Sequence, residues 1–218
     1  MLSQRSLLAV ATALLVLSPA FAYEIPLTDK TVREAYFLGQ HHDASTQSAL
    51  KPYQHNLAAP KSGPYISEIR VMTPFAQVVE ASNAQSAGYS AQQAAADYHS
   101  HADTIVVRFH IEFTPSYGYI ESDRDRADLA AEKGISLRSQ DFWQAFNTGL
   151  SQKDQWIEPL SREGEPIYSR SEDSGAMVGA YIWVTYDAHD VSSDEATAEI
   201  FTPDGQHVTS TFDLSKLR

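Results

Sequence analysis

The chain has 218 residues and carries 16 Lys and Arg against 28 Asp and Glu, a formal net charge of −12 at pH 7. This surplus of negative charge repels nucleic-acid phosphates and anionic lipid headgroups, so neither is expected as a partner. The sequence contains no cysteine, which excludes disulfides, thiolate metal ligands and a cysteine nucleophile. Its length fits one compact domain with a core of its own.

The first 22 residues predict a secretory signal peptide. Arg5 precedes an uninterrupted apolar run, and Ala20 and Ala22 are small residues at the positions that signal peptidase recognises. The apolar run is too short to span a bilayer. We therefore expect a periplasmic or secreted protein whose single globular domain covers residues 23–218 and has no transmembrane segment.

The first predicted element after this leader is a helix over residues 31–40. Thr31 and Glu34 have the spacing of a capping box, in which a hydroxyl and a carboxylate bond the backbone N–H groups at a helix start. Prolines and a glycine between residues 43 and 64 predict a loop with at most one helical turn. Residues 65–81 alternate like extended chain and predict two strands, or one bent strand, interrupted at Pro74.

A second capping box predicts the next helix, which begins after Ser90 and ends near His99. The clearest strand covers residues 104–113, where apolar and polar side chains alternate strictly. This alternation predicts a sheet with one buried face. Farther along, the sequence predicts a charged helix over residues 122–133 and a short helix over residues 140–146 that buries Phe142, Trp143 and Phe146.

The C-terminal part predicts β-structure. Residues 177–186 are apolar on both faces, as in an interior strand, and residues 196–202 and 206–214 flank a turn at Pro203-Asp204-Gly205. Gly205 can adopt the left-handed conformation that a three-residue hairpin needs. The expected fold class is α+β or mainly β, with an antiparallel β-sandwich-like core, an N-terminal helix and a few short helices.

One group of residues has the composition of a metal site. Two imidazoles and a carboxylate lie within five residues, and another imidazole and carboxylate follow on the polar face of the next strand; the five are His99, His101, Asp103, His110 and Glu112. Such ligands suit Zn²⁺. The alternative is that His99 stabilises a helix C-terminus and His101 lies in an exposed loop.

Two further groups have a functional and a structural interpretation. Acidic residues after the interior strand could hold Ca²⁺ or be a solvated connection; they are Asp187, Asp190, Asp194 and Glu195. Aromatic side chains could form a platform that stacks on sugar rings or grips a peptide, or could pack in the core; they are Tyr65, Tyr117, Tyr119, Trp156, Tyr168, Tyr181 and Trp183.

The sequence contains no Gly-x-Ser-x-Gly elbow and no glycine-rich phosphate loop. We therefore expect a non-enzymatic binding or interaction module of the cell envelope, without catalytic residues or a cofactor, whose partner is an envelope or extracellular protein or a glycan. One alternative is a metal-dependent hydrolase that uses His99, His101 and Asp103. The other is a structural accessory subunit that pairs through an edge strand.

Overall fold

The computed structural model describes residues 23–61, 63–85, 88–114, 140–169 and 177–218. The predicted signal peptide and the predicted helix over residues 122–133 lie outside these residues. Within them the chain forms four α-helices and nine strands. They are α1 Asp29–Gln40, α2 Ala44–Leu50, β1 Gln54–Asn56, β2 Pro64–Met72, α3 Pro74–Ala84, α4 Ala91–His99, β3 Thr104–Phe113, β4 Asn147–Gln152, β5 Gln155–Ile157, β6 Ser161–Tyr168, β7 Met177–Asp187, β8 Glu195–Phe201 and β9 His207–Asp213.

The strands form two antiparallel sheets that share one core. The five-stranded sheet has the order β1-β2-β3-β7-β6, and the four-stranded sheet has the order β5-β4-β8-β9. Buried side chains from both sheets belong to the same apolar cluster, for example Phe109 of the first sheet and Leu150 of the second. The predicted α+β fold with a sandwich-like core is therefore confirmed.

Strand β3 has the predicted bounds and the predicted alternation. Its inward side chains, Ile105, Val107, Phe109 and Ile111, are fully buried, and its partners on either side are β2 and β7. Burying four large apolar side chains of one strand contributes roughly 1.5–3 kcal/mol for each. This strand is the centre of the five-stranded sheet, and its polar residues are consequently directed to the opposite face.

The C-terminal hairpin and the interior strand β7 are also confirmed. Thr202 donates its backbone N–H to the carbonyl of Gln206 at 2.9 Å, which closes a three-residue loop over Pro203-Asp204-Gly205. Gly205 has a φ of +86°, the left-handed conformation that the turn requires. Strand β7 has a hydrogen-bonded neighbour on each side.

The predicted start of the first helix is wrong by two residues. The N-cap is Thr28, whose hydroxyl accepts the backbone N–H of Thr31. The hydroxyl of Thr31 itself donates to Glu24 at 2.9 Å, so it does not act in the predicted capping box. Threonine is an effective N-cap at either position, and only the tertiary contact with Glu24 distinguishes them.

The prediction of extended chain over residues 65–81 is right for β2 and wrong beyond it. Thr73 caps α3 by accepting the N–H of Ala76, and Pro74 occupies the first helical position. Proline is favoured there because its missing N–H has no helical partner to lose. The predicted loop over residues 43–64 likewise contains more structure than expected, since it includes α2 and β1.

The predicted helix over residues 140–146 is a single 3-10 turn, Phe142–Ala145. Phe146 is buried as expected, whereas Phe142 and Trp143 are only half-buried. The short helix α4, by contrast, begins and ends as predicted, and Ser90 caps it through the N–H of Gln93. No helix in the described part of the chain is sufficiently long and apolar to cross a membrane.

Helices α1, α3 and α4 form a second, smaller apolar cluster beside the sheets. Gly39 permits α1 to approach α3 closely, because a β-carbon at this position would lie 2.4 Å from the carbonyl oxygen of Val79. The side chain of Gln40 donates to the carbonyl of Ser82 at 2.6 Å in the same contact.

A charged network links α3 to the polar face of the five-stranded sheet. The Glu68 carboxylate accepts from Arg108 at 2.7 Å and from Arg70 at 3.3 Å, and Arg70 also pairs with Glu80 of α3. Burial by itself raises the pKa of Glu68. The hydrogen bond from Arg108 and the charges of both arginines outweigh it and hold that pKa below its usual value of 4.5.

We predict that Glu68→Gln lowers the free energy of unfolding by about 3 kcal/mol at neutral pH, because it leaves two largely buried arginines under-compensated. The pKa of Glu68 is depressed in the folded state, so its contribution is complete above pH 4.5 and is lost as the pH falls further. The denaturation curves should therefore approach those of the unmodified protein as the pH falls below the lowered folded-state pKa of Glu68. Glu165→Gln is the control. Glu165 is exposed and is aligned with Glu68 across the sheet, and its substitution should lower the free energy of unfolding by under about 0.5 kcal/mol.

Gly205 allows a separate test of the hairpin. A β-carbon at this position meets no atom within 4 Å, so the cost of a substitution reports the backbone conformation alone. Gly205→Val should lower the free energy of unfolding by about 1–2 kcal/mol. Gly205→Asn should cost less, since asparagine tolerates a positive φ. If chemical denaturation shows that the valine variant is as stable as the unmodified protein, this account is contradicted.

Candidate functional site

The structure separates the two histidines of the proposed metal site. His99 Nε2 lies 2.8 Å from Asp29 Oδ1 on α1. The ring of His101 instead lies with its Nδ1 atom 2.8 Å from the carbonyl oxygen of Asp97. His99 is the last residue of α4, and His101 follows the C-cap Ser100. The two rings therefore contact different residues.

The other three candidates are also apart. Asp103 accepts a hydrogen bond from Tyr98, while His110 and Glu112 form a pair at 3.6 Å on the polar face of β3. Burial lowers the pKa of His110 more than nearby Glu112 and Glu68 raise it. Among the described residues, no three His, Cys, Asp or Glu side chains come close enough to hold one metal ion.

Two of the four acidic residues proposed for Ca²⁺, Asp187 and Asp194, have other partners. Asp187 accepts from the backbone N–H of His189 at 2.9 Å, and its pKa is lowered by this hydrogen bond and the one to the imidazole. Asp194 pairs with Lys153 at 2.7 Å. These contacts fit the interpretation of a solvated strand connection.

The aromatic residues fall into different environments. Tyr117 and Tyr119 lie outside the described residues, and Tyr65 donates its hydroxyl to Glu112 at 2.6 Å. Tyr181 packs between His110 and Trp183, with centroid distances of 4.5 and 5.4 Å. Tyr168 is half-buried at the end of β6. Trp156 differs from all of them because 59% of it is exposed.

Trp156 lies on the outer surface of the four-stranded sheet. It pairs with Ser151 in register, and its six-membered ring covers Gly149, where a β-carbon would lie 2.1 Å from Cζ3. Glycine is the one residue that permits this approach. Part of the indole is thus packed on the backbone of Gly149, and the rest of it is exposed.

A second tryptophan has the same geometry but a different outcome. Trp143 covers Gly164 of β6, where a β-carbon would lie 2.1 Å from Cδ2. The Arg162 guanidinium stacks on this indole at 5.1 Å from the ring centroid. In the described part of the chain, no ring or cation stacks on Trp156 in this way. Its free face is therefore available to a ligand.

Polar groups surround Trp156 on the same surface. We call this surface the outer face; it consists of Asn147, Gly149, Ser151, Trp156, Glu195, Thr197, Glu199, Phe201, His207, Thr209, Thr211 and Asp213. Glu199 is opposite Gly149 in register. Its carboxylate accepts from Ser151 at 3.1 Å and lies 2.7 Å from His207 Nε2. His207 in turn stacks on Phe201 at 4.1 Å. The carboxylate beside the indole is thus held in one orientation.

A polar recess of about 350 Å³ adjoins Trp156 at β5, an edge strand of the four-stranded sheet. Gln152 lines it and is itself rigidly held: its amide nitrogen donates to the Ser192 carbonyl, and its oxygen accepts the Ser192 N–H, both at 2.8 Å. Asp190 and Glu158 add carboxylates to the lining. The surface therefore combines an exposed aromatic ring with fixed hydrogen-bonding groups, the usual composition of a specific binding site.

Sequence reasoning included Trp156 among the aromatic candidates but missed Gly149 and Glu199. A glycine inside a strand is a signal of close approach, although it does not identify the side chain that approaches. Comparison with known proteins provides no further assignment, since no protein-family model and no curated protein matches the chain.

Proposed function

We propose that this protein is an exported binding module whose outer face binds neutral glycans. The observation that carries this proposal is Trp156, whose indole is packed against Gly149 while 59% of the residue is exposed. A pyranose ring whose substituents are all equatorial presents a flat C–H surface, and an exposed indole provides a complementary apolar plane. Export is supported by the predicted signal peptide.

The groups around the indole fit the hydroxyls of a sugar. Glu199 is an oriented acceptor, and the hydroxyls of Thr197 and Thr211 lie 3.1 Å apart on the neighbouring strands. Groups already held in place lose little conformational entropy when a ligand binds. A peptide ligand would instead need a set of apolar pockets, whereas Trp156 is surrounded by polar residues.

The charge of the surface favours a neutral glycan over an acidic one. Glu199 lies on the outer face, and Glu158 and Asp190 line the adjoining recess. Lys153, the cation at this recess, is paired with Asp194. Uronic-acid or sulfated oligomers would be repelled by these carboxylates.

The same geometry favours binding over hydrolysis. Glycoside hydrolysis uses two carboxylates on either side of the scissile bond, about 5–9.5 Å apart. Glu195 and Asp213 are the other carboxylates of the outer face, and they pair with each other four residues along the strands from Glu199, a separation of about 13 Å. The alternative of a metal-dependent hydrolase requires His99 and His101 to leave Asp29 and Asp97, their present partners.

Pairing through the edge strand β6 is less well supported. Strand β6 is at one edge of the five-stranded sheet. It contains Pro166, which has no N–H to donate, and the exposed carboxylates of Glu163 and Glu165. Proline and charge at an edge strand oppose the addition of another strand.

The proposal predicts that cellotetraose, a neutral β-1,4-linked glucose oligomer, binds with a change in tryptophan fluorescence. Trp156→Ala should weaken this binding by at least about tenfold in isothermal titration calorimetry. Trp156→Tyr should retain part of the affinity because it keeps a smaller aromatic plane. Phe37→Ala removes a similarly exposed ring, 55% accessible and on α1, and should leave binding unchanged.

A second pair of variants tests the position of the ring. Gly149→Ala should displace the Trp156 indole and weaken cellotetraose binding. Gly164→Ala should displace Trp143, which covers the other sheet, and should leave cellotetraose binding unchanged. Circular dichroism verifies that both variants fold. The proposal would be overturned if tetragalacturonate bound as tightly as cellotetraose, or if Trp156→Ala bound cellotetraose as tightly as the unmodified protein does.

A further inference from the structure

A second cavity lies between α3 and α4 and is unrelated to the outer face. Its volume of about 460 Å³ is within the range of small-molecule sites. Pro74, Val78 and Ala81 of α3 provide one apolar wall, and Ala94 of α4 contributes to the other. Residues 74, 78 and 81 have helical spacing and so share one side of α3.

The polar groups of this cavity are acidic or phenolic. Tyr89 donates its hydroxyl to Asp97 Oδ2 at 3.0 Å, and Tyr98 donates its hydroxyl to Asp103 Oδ1. No lysine or arginine is present among the described residues that line the cavity. His101, the part of the His-x-His motif that is not paired with α1, lies at the same cavity.

The phenols remain hydrogen-bond donors over a wide pH range. Burial, reinforced by the hydrogen bond to Asp97, raises the pKa of Tyr89 to about 12. Burial and the hydrogen bond to Asp103 raise the pKa of Tyr98 still further. Both phenols thus stay neutral and both carboxylates keep their hydrogen-bond partners. The cavity consequently carries two formal negative charges beside an apolar wall.

We propose that this cavity binds a small organic amine, with its ammonium group paired to Asp103 and its apolar body packed on Val78, Ala81 and Ala94. Asp103 is the better partner because its Oδ2 atom accepts no hydrogen bond from the described residues, whereas both oxygens of Asp97 accept one, from Gln93 and Tyr89. A charge-assisted hydrogen bond to a carboxylate is about twice as strong as a neutral one. An anionic ligand would meet like charge.

The test uses 2-phenylethylamine as the cationic probe and titrates it into the full mature chain. We expect a dissociation constant of about 1 mM or below. Two compounds of nearly the same shape, 2-phenylethanol and 3-phenylpropanoate, should bind at least about tenfold more weakly. No binding of the amine, or equal binding of the alcohol, would overturn the proposal.

Two variants on α3 provide a matched comparison. Ala81→Leu places a larger side chain in the cavity and should remove amine binding, while Ala84→Leu adds the same group at an exposed position of α3 outside the cavity. Asp103→Asn keeps an acceptor for Tyr98 and should weaken binding at least about tenfold by loss of charge. Undiminished binding by Ala81→Leu would contradict the location. Trp156→Ala should bind the amine normally, which separates this proposal from the glycan proposal.

Discussion

The shared apolar interior of the two sheets is the constraint on which the other surfaces depend. Side chains alternate along a strand, so each residue directed into this interior determines where its neighbours point. On β8, Ala196, Ala198 and Ile200 are fully buried, which directs Thr197 and Glu199 to the outer face. A shift of one residue would bury Glu199 and expose Ile200. The composition of the outer face is thus a consequence of the core.

The two glycine–tryptophan contacts show how one packing arrangement can serve different purposes. A glycine inside a strand has no side chain to pack and an entropic cost, and an aromatic ring laid over it restores buried area. Above Gly164, Arg162 completes the contact by covering the second face of Trp143. Above Gly149 the second face of Trp156 is exposed. The first indole is thus covered by a cation, whereas much of the second remains exposed.

The acidic character of the chain is distributed over separate surfaces. Carboxylates lie in the recess beside Trp156 and line the α3–α4 cavity. The buried carboxylate of Glu68 is different, because Arg70 and Arg108 neutralise it. The net charge therefore indicates which ligands are repelled, while the local partners of each carboxylate decide what it can bind.

Local patterns in the sequence determined the parts of the fold that depend on neighbouring residues. The alternation along β3, the Ser90 cap of α4 and the turn at Gly205 each require only a few adjacent residues, and all three were predicted correctly. Tertiary structure decided between local signals of similar strength. Thr28 caps α1, while the hydroxyl of Thr31 binds Glu24, and the residues after Thr73 form a helix although they resemble a strand.

The candidate sites depended on tertiary structure to a greater degree. The sequence alone identified Trp156 as an aromatic candidate and His101 and Asp103 as polar ones. The placement of Trp156 over Gly149 requires the register of the β4–β5 pair, and the α3–α4 cavity requires two helices that the sequence does not place side by side. Periodicity and capping act within one element, whereas a binding site is formed by side chains from several elements, and their distances are decided only when the core packs.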